Sequence, residues 1–157
     1  MNDAHLHMLV NHFPIIGSIF GLGILITGLV LRNDILKNTA YVLFIIAAVF
    51  GFLSMNTGEG AEELVEEMET VGHHIIHEHE EIAEKFILVM YATGIFSILS
   101  LIASIKKHKL AKVSAIITLI LAIVAVVLAK NVGTTGGEVR HTEIREIENK
   151  TSEHSEE

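Results

Sequence analysis

The sequence predicts an all-α integral membrane protein: an antiparallel four-helix bundle with a short extra amphipathic helix in the loop between spans two and three. Three observations carry this. Hydrophobic residues make up 50% of the chain and charged residues only 19%, with a mean hydropathy of +0.51; a soluble domain of 157 residues normally carries more charge. The apolar residues gather into runs close to the about 20 residues that a bilayer crossing requires. Lysine and arginine concentrate in two short turns, after the first and third runs, the pattern that marks one side of a membrane.

The first span reads as Phe13 to Leu31, roughly 28 Å at 1.5 Å per residue. Pro14 suits a first helical turn, where no N–H is needed, and His12 sits at the mouth of the helix. Gly17 and Gly21 form a small-xxx-small pair, which reads as close helix packing; the alternative is that a flat ligand lies against the bare backbone. Arg32, Asn33, Asp34 and Lys37 make a polar turn. A second span runs from about Thr39 to Met55, and Asn56-Thr57-Gly58 reads as its stop. Ala61, Leu64, Val65 and Met68 then recur at helical spacing within the acidic stretch Glu59–Glu69, which predicts an amphipathic helix lying at the surface, broken at Thr70-Val71-Gly72. The third span starts inside a His/Glu-rich stretch and continues as Phe86 to Ile105. Lys106, Lys107, His108, Lys109 and Lys112 form the next turn, and Ala111 to Val132 is the fourth span. The polar segment from Gly133 closes the membrane domain, residues 1–141. Residues 142–157 read as an acidic, disordered tail.

With no cysteine, disulfides, thiolate metal sites and covalently attached haem of the C-x-x-C-H kind are excluded. The net charge of −8 speaks against nucleic acid as a partner. No phosphate loop, nucleophile elbow or H-E-x-x-H motif is present, so hydrolytic chemistry is a poor reading. By the positive-inside rule the two basic turns are cytoplasmic and both termini lie outside. Nine of the ten histidines then fall on the outer side, leaving only His108 among the lysines.

That sorting points to a site at the outer end. Four histidines crowd the start of the third span: His73, His74, His77 and His79. On a helix, His73 and His77, and His77 and Glu81, are i, i+4 pairs on one face. His12 leads the first span and His141 follows the fourth. Histidines on facing helices can supply both axial ligands to a haem iron wedged in a bundle, and Lys85, Lys130 and Arg140 are placed to meet its propionates. His12 and His77 are the first ligand choices, and His73, His74 and His141 the second. The rival reading is a metal-binding or metal-transporting protein. His12, His73, His77, His141, Glu81 and Glu138 would then ligate zinc, copper or iron, since Glu138-x-x-His141 has the carboxylate–imidazole spacing of metal-carboxylate bundles. Proton handling is a third reading.

His7-Met-Leu-Val-Asn-His12-Phe-Pro-Ile resembles the H-P-x-x-V-H-F-P-I opening of an uncharacterised family of small bacterial four-span membrane domains. Gly136-Gly-Glu-Val-Arg-His141 is similar to that family's G-G-x-L-V-Y-x-H-G close. Met8 stands where the family has proline, and Thr142 where it has glycine. The resemblance implies His7, His12, His77 and His141 as site residues. It also implies one or two b-type haems in the bacterial inner membrane, and a periplasmic c-type cytochrome, a Rieske protein or a quinone as redox partner. A homo-oligomer is compatible with all of these readings.

Overall fold

The computed structural model describes residues 2–66 and 73–141. They form five helices: α1 (Asp3–Val10), α2 (His12–Val30), α3 (Asp34–Glu66), α4 (His73–Ile105) and α5 (Ala111–Arg140). The chain is an all-α antiparallel four-helix bundle in which each long helix packs on its neighbours in sequence, and α5 closes the ring against α2. Four stretches are long and apolar enough to cross a membrane: Asp3–Val30, Asp34–Glu63, His74–Ile105 and Ala111–Val139. Their outward faces are apolar. Ile19, Phe20, Leu88, Ile95, Val113 and Val127 are all at least half exposed, which suits a lipid solvent.

Each helix buries one narrow seam. In α1 and α2 it runs Val10, Pro14, Ser18, Gly21, Leu25, Gly28; in α4 it runs Phe86, Met90, Thr93, Ser97, Ser100; in α5 it runs Ala115, Thr118, Ala122, Ala125, Ala129, Val132, Thr135. Steps of three and four residues keep these positions on one line, as knobs-into-holes packing requires. Large residues on two helices face small ones on another. Phe86 and Met90 pack with Ala125 and Ala129 in one half of the bundle. Tyr41 and Phe44 pack with Ala115 and Ala122 in the other.

Gly17 and Gly21 serve this packing. A Cβ on Gly17 would lie 2.8 Å from the Ala47 Cβ, and one on Gly21 would lie 2.6 Å from the Phe44 ring. The bare backbone of α2 is therefore covered by α3, not by a flat ligand.

Three boundaries differ from the sequence reading. Asn56-Thr57-Gly58 does not stop the second helix, because the side chains fold back on it: Asn56 Nδ2 donates to the Phe52 carbonyl at 2.7 Å and Thr57 Oγ1 to the Leu53 carbonyl at 3.0 Å. The expected separate amphipathic helix is thus, as far as Glu66, the continuation of α3. Its remainder and the break at Thr70-Val71-Gly72 lie outside the described residues. Residues before the first span form α1, capped by Asn2, whose side chain accepts from the His5 N–H at 3.1 Å. Glycines 58 and 60 explain where α1 goes: a Cβ on Gly60 would meet Asp3 at 2.6 Å, and one on Gly58 would meet the His7 ring at 3.7 Å. Finally, α5 runs on through Gly133-Thr-Thr-Gly-Gly to Arg140, with Thr134 and Thr135 bonded to the Lys130 and Asn131 carbonyls. The acidic tail, 142–157, lies outside the described residues.

Candidate functional site

At the end of the bundle opposite the two basic turns, two imidazoles turn inward. His7 extends the seam of α1 and α2, three residues before Val10; His79 extends that of α4, seven before Phe86. Both rings are partly buried, and a charge on His7 would be felt at His79. His12 in turn acts electrostatically on His7.

A carbonyl partner fixes the tautomer of His7, while that of His79 follows from where the Thr135 hydroxyl donates. His7 Nδ1 lies 3.0 Å from the Ser54 carbonyl oxygen and 3.3 Å from Thr57 Oγ1. A carbonyl only accepts, and the Thr57 hydroxyl hydrogen is already directed at Leu53, so His7 Nδ1 carries the proton and donates. His79 Nδ1 lies 2.9 Å from Thr135 Oγ1. That hydroxyl also reaches the Asn131 carbonyl at 3.1 Å; when it donates there its oxygen accepts from His79 Nδ1, and when it donates to the ring Nδ1 is the acceptor. Neutral His7 therefore presents an unprotonated Nε2, and neutral His79 does so when Thr135 accepts from it.

All four sides of the bundle contribute. α1 brings His7, α3 the Ser54 carbonyl and Thr57, α4 His79, and α5 Thr135. The fit of α4 against α5 is close here: a Cβ on Gly136 would lie 3.0 Å from His79 Cε1. Asn11 Oδ1, one turn beyond His7, is buried with no hydrogen-bond partner. A hydrogen bond at one ring nitrogen orients an imidazole, and where the ring donates that bond it raises the basicity of the other nitrogen, the arrangement usual in histidines that ligate a metal.

The other candidates sit elsewhere. His12 is exposed, in phase with the outward Ile16, Ile19 and Ile26. The His77 side chain is 82% exposed, 4.0 Å from Glu80. His77 shares its face with Leu88, Ile95, Leu99 and Ile102, the apolar outside of α4. His74 is exposed as well. Glu81 and Lys85 pair with each other at 3.3 Å on the surface. His141 is exposed and caps α5, its N–H donating to the Gly137 carbonyl at 2.8 Å. His73 opens α4 and Arg140 closes α5. Glu138 is partly buried in the last turns of α5. Lys130 is exposed. The structure thus keeps His7 among the candidates, turns His12 and His77 outward, and adds His79, which sequence reasoning had counted in the cluster but not selected. The signal for His79 was its phase with Phe86, Met90 and Thr93; it was outweighed by the local density of ligand-type residues around His77.

Among the described residues, no three or more His, Cys, Asp or Glu side chains come together in a group that could hold a metal ion. No family model matches the chain, and neither the curated proteins nor the solved structures contain a match.

Proposed function

We propose that the chain is a membrane b-type cytochrome-like electron-transfer protein, with His7 and His79 as the axial pair. The observation that carries this reading is the pair of inward imidazoles, each hydrogen-bonded at Nδ1 to a neighbouring helix. When bound, haem supplies one-electron iron chemistry. The protein's own part is to hold one ring on α1 and one on α4, to orient them through the Ser54 carbonyl and Thr135, and to exclude water with Val10 and Ile76, both buried nearby in sequence on α1 and α4. One-electron exchange needs no nucleophile or general base, which agrees with the absence of hydrolytic motifs in the sequence.

On this reading the lysine end faces the cytoplasm of a bacterial cell, both termini lie on the periplasmic side, and the site exchanges electrons there. The family that the opening and closing motifs resemble points to a c-type cytochrome, a Rieske protein or a quinone as the partner. Against the metal-carboxylate alternative, Glu81 is engaged by Lys85 at the surface. The test is purification from membranes followed by absorption spectroscopy. A Soret band with low-spin features, and a haem extractable by acidified organic solvent, are expected; a colourless protein from haem-replete cells contradicts the proposal.

A further inference from the structure

The opposite end of the bundle holds a second constellation. A half-open cleft of about 400 Å³ lies between the start of α3 and the α4–α5 turn, lined among others by Lys37, Lys107, Lys109 and Lys112, with Asp34 and Tyr41. Asp34 is the single carboxylate in its lining and is bound to Lys37 at 2.7 Å, which leaves three lysines to set the sign of the cleft. Lys107 also acts electrostatically on Asp34, so the two turns face each other across it.

Two features of the backbone add to the lysines. α5 starts in the lining without any side-chain cap, so its first turn turns the positive end of a helix toward the cleft. Lys107 has φ 48°. The His108 N–H bonds the Ala103 carbonyl at 2.8 Å and the Lys107 N–H bonds the Ser104 carbonyl at 3.1 Å, a Schellman closure whose left-handed position glycine normally fills. A lysine fills that position here, as Arg32 at φ 52° does after α2, and of the two only Lys107 lines the cleft. Tyr41, nearly fully buried, also lines the cleft.

We infer that this cleft binds a phosphate-bearing anion, the phosphate group meeting Lys107, Lys109 and Lys112 at the uncapped start of α5. Basic recesses between membrane helices suit anionic lipid headgroups, and the same chemistry accepts free phosphate. This inference is independent of the haem reading.

The test follows the thermal midpoint of the full chain in neutral detergent, titrated separately with short-chain phosphatidylglycerol, inorganic phosphate and zwitterionic phosphatidylcholine. Phosphatidylglycerol, inorganic phosphate or both should raise the midpoint saturably, and phosphatidylcholine should not. Stabilisation by phosphatidylglycerol alone assigns a lipid headgroup; stabilisation by inorganic phosphate assigns the free anion. Lys107→Gly relieves the left-handed backbone and so leaves the fold intact, and Lys112→Gln keeps the chain length. Together they should weaken binding at least tenfold. Lys106→Gln removes an equal charge from the same turn but outside the lining, and should leave binding unchanged. If neither phosphate-bearing anion stabilises, or if Lys106→Gln weakens binding as much as the cleft variants, the inference is overturned.

Discussion

His77 and His79 stand two residues apart on the same helix, and the bundle treats them oppositely. His77 is on the face that continues into Leu88, Ile95 and Ile102, and its side chain is 82% exposed. His79 is on the face that continues into Phe86, Met90 and Thr93, with its Nδ1 bonded to a hydroxyl of the next helix. The same contrast separates His12 from His7 five residues earlier. Two positions on an α-helix differ by about 200° around its axis, so neighbours in sequence are strangers in space. Residue type marks a neighbourhood as chemical; phase with the buried seam decides which members of it can act on one another.

The largest effect should come from exchanging the two faces. His7→Ala and His79→Ala should each abolish haem retention or convert the bound haem to high spin, because one axial position is left open. His12→Ala and His77→Ala should keep a normal low-spin spectrum. Retention of the low-spin spectrum in both seam variants, with loss in His77→Ala, would reverse the comparison. A second and smaller effect is expected at the groups that hold the rings. Thr135→Val removes the hydroxyl partner of His79 Nδ1 and should lower haem affinity by about 10–100-fold, measured by transfer to a competing apoprotein, whereas Thr134→Val, whose hydroxyl bonds only within its own helix at Lys130, should not.

How much of this was legible beforehand follows from the physics of each element. Apolar length and the two basic turns were enough for four spans and for gathering the histidines at one end, since bilayer thickness and charge asymmetry act on composition alone. α1 escaped because eight residues with two histidines carry little periodicity. Its position depends instead on Gly58 and Gly60 of a helix nearly fifty residues later, where the missing Cβ atoms admit it. The continuation of α3 escaped because Asn56, Thr57 and Gly58 are stop signals only when their side chains are free to leave the helix, and here two of them bond back to it. His79 was legible in principle. Counting back seven from Phe86 reaches it, but the density of His73, His74, His77 and Glu81 directs attention to the exposed face.

Acid should sharpen the contrast further. A ligating Nε2 cannot keep a proton, so haem occupancy should fall as pH drops through and below the ordinary histidine range near about 6.5, ligation shifting the loss to lower pH. The exposed His12→Ala and His77→Ala variants should give the same profile as the native chain. Full occupancy at about pH 3 would mean that imidazoles do not hold the iron. The smallest effect expected is steric. Gly136→Ala places a Cβ 3.0 Å from His79 Cε1, so the ring must shift by a few tenths of an ångström, and a small displacement of the Soret maximum should follow without loss of haem. Gly133→Ala on the same helix, where a Cβ would meet nothing within 4 Å, should leave the spectrum in place.

The central claim is that the bundle holds two inward imidazoles in one tautomer, each with a bare Nε2. Nitrogen NMR of the haem-free protein, labelled at histidine with ¹⁵N and read near neutral pH, tests it directly. His7→Gln and His79→Gln spectra assign the two signals. The account predicts that both rings show a protonated Nδ1 and an unprotonated Nε2. A protonated Nε2 at either position, with Nδ1 accepting, would contradict it.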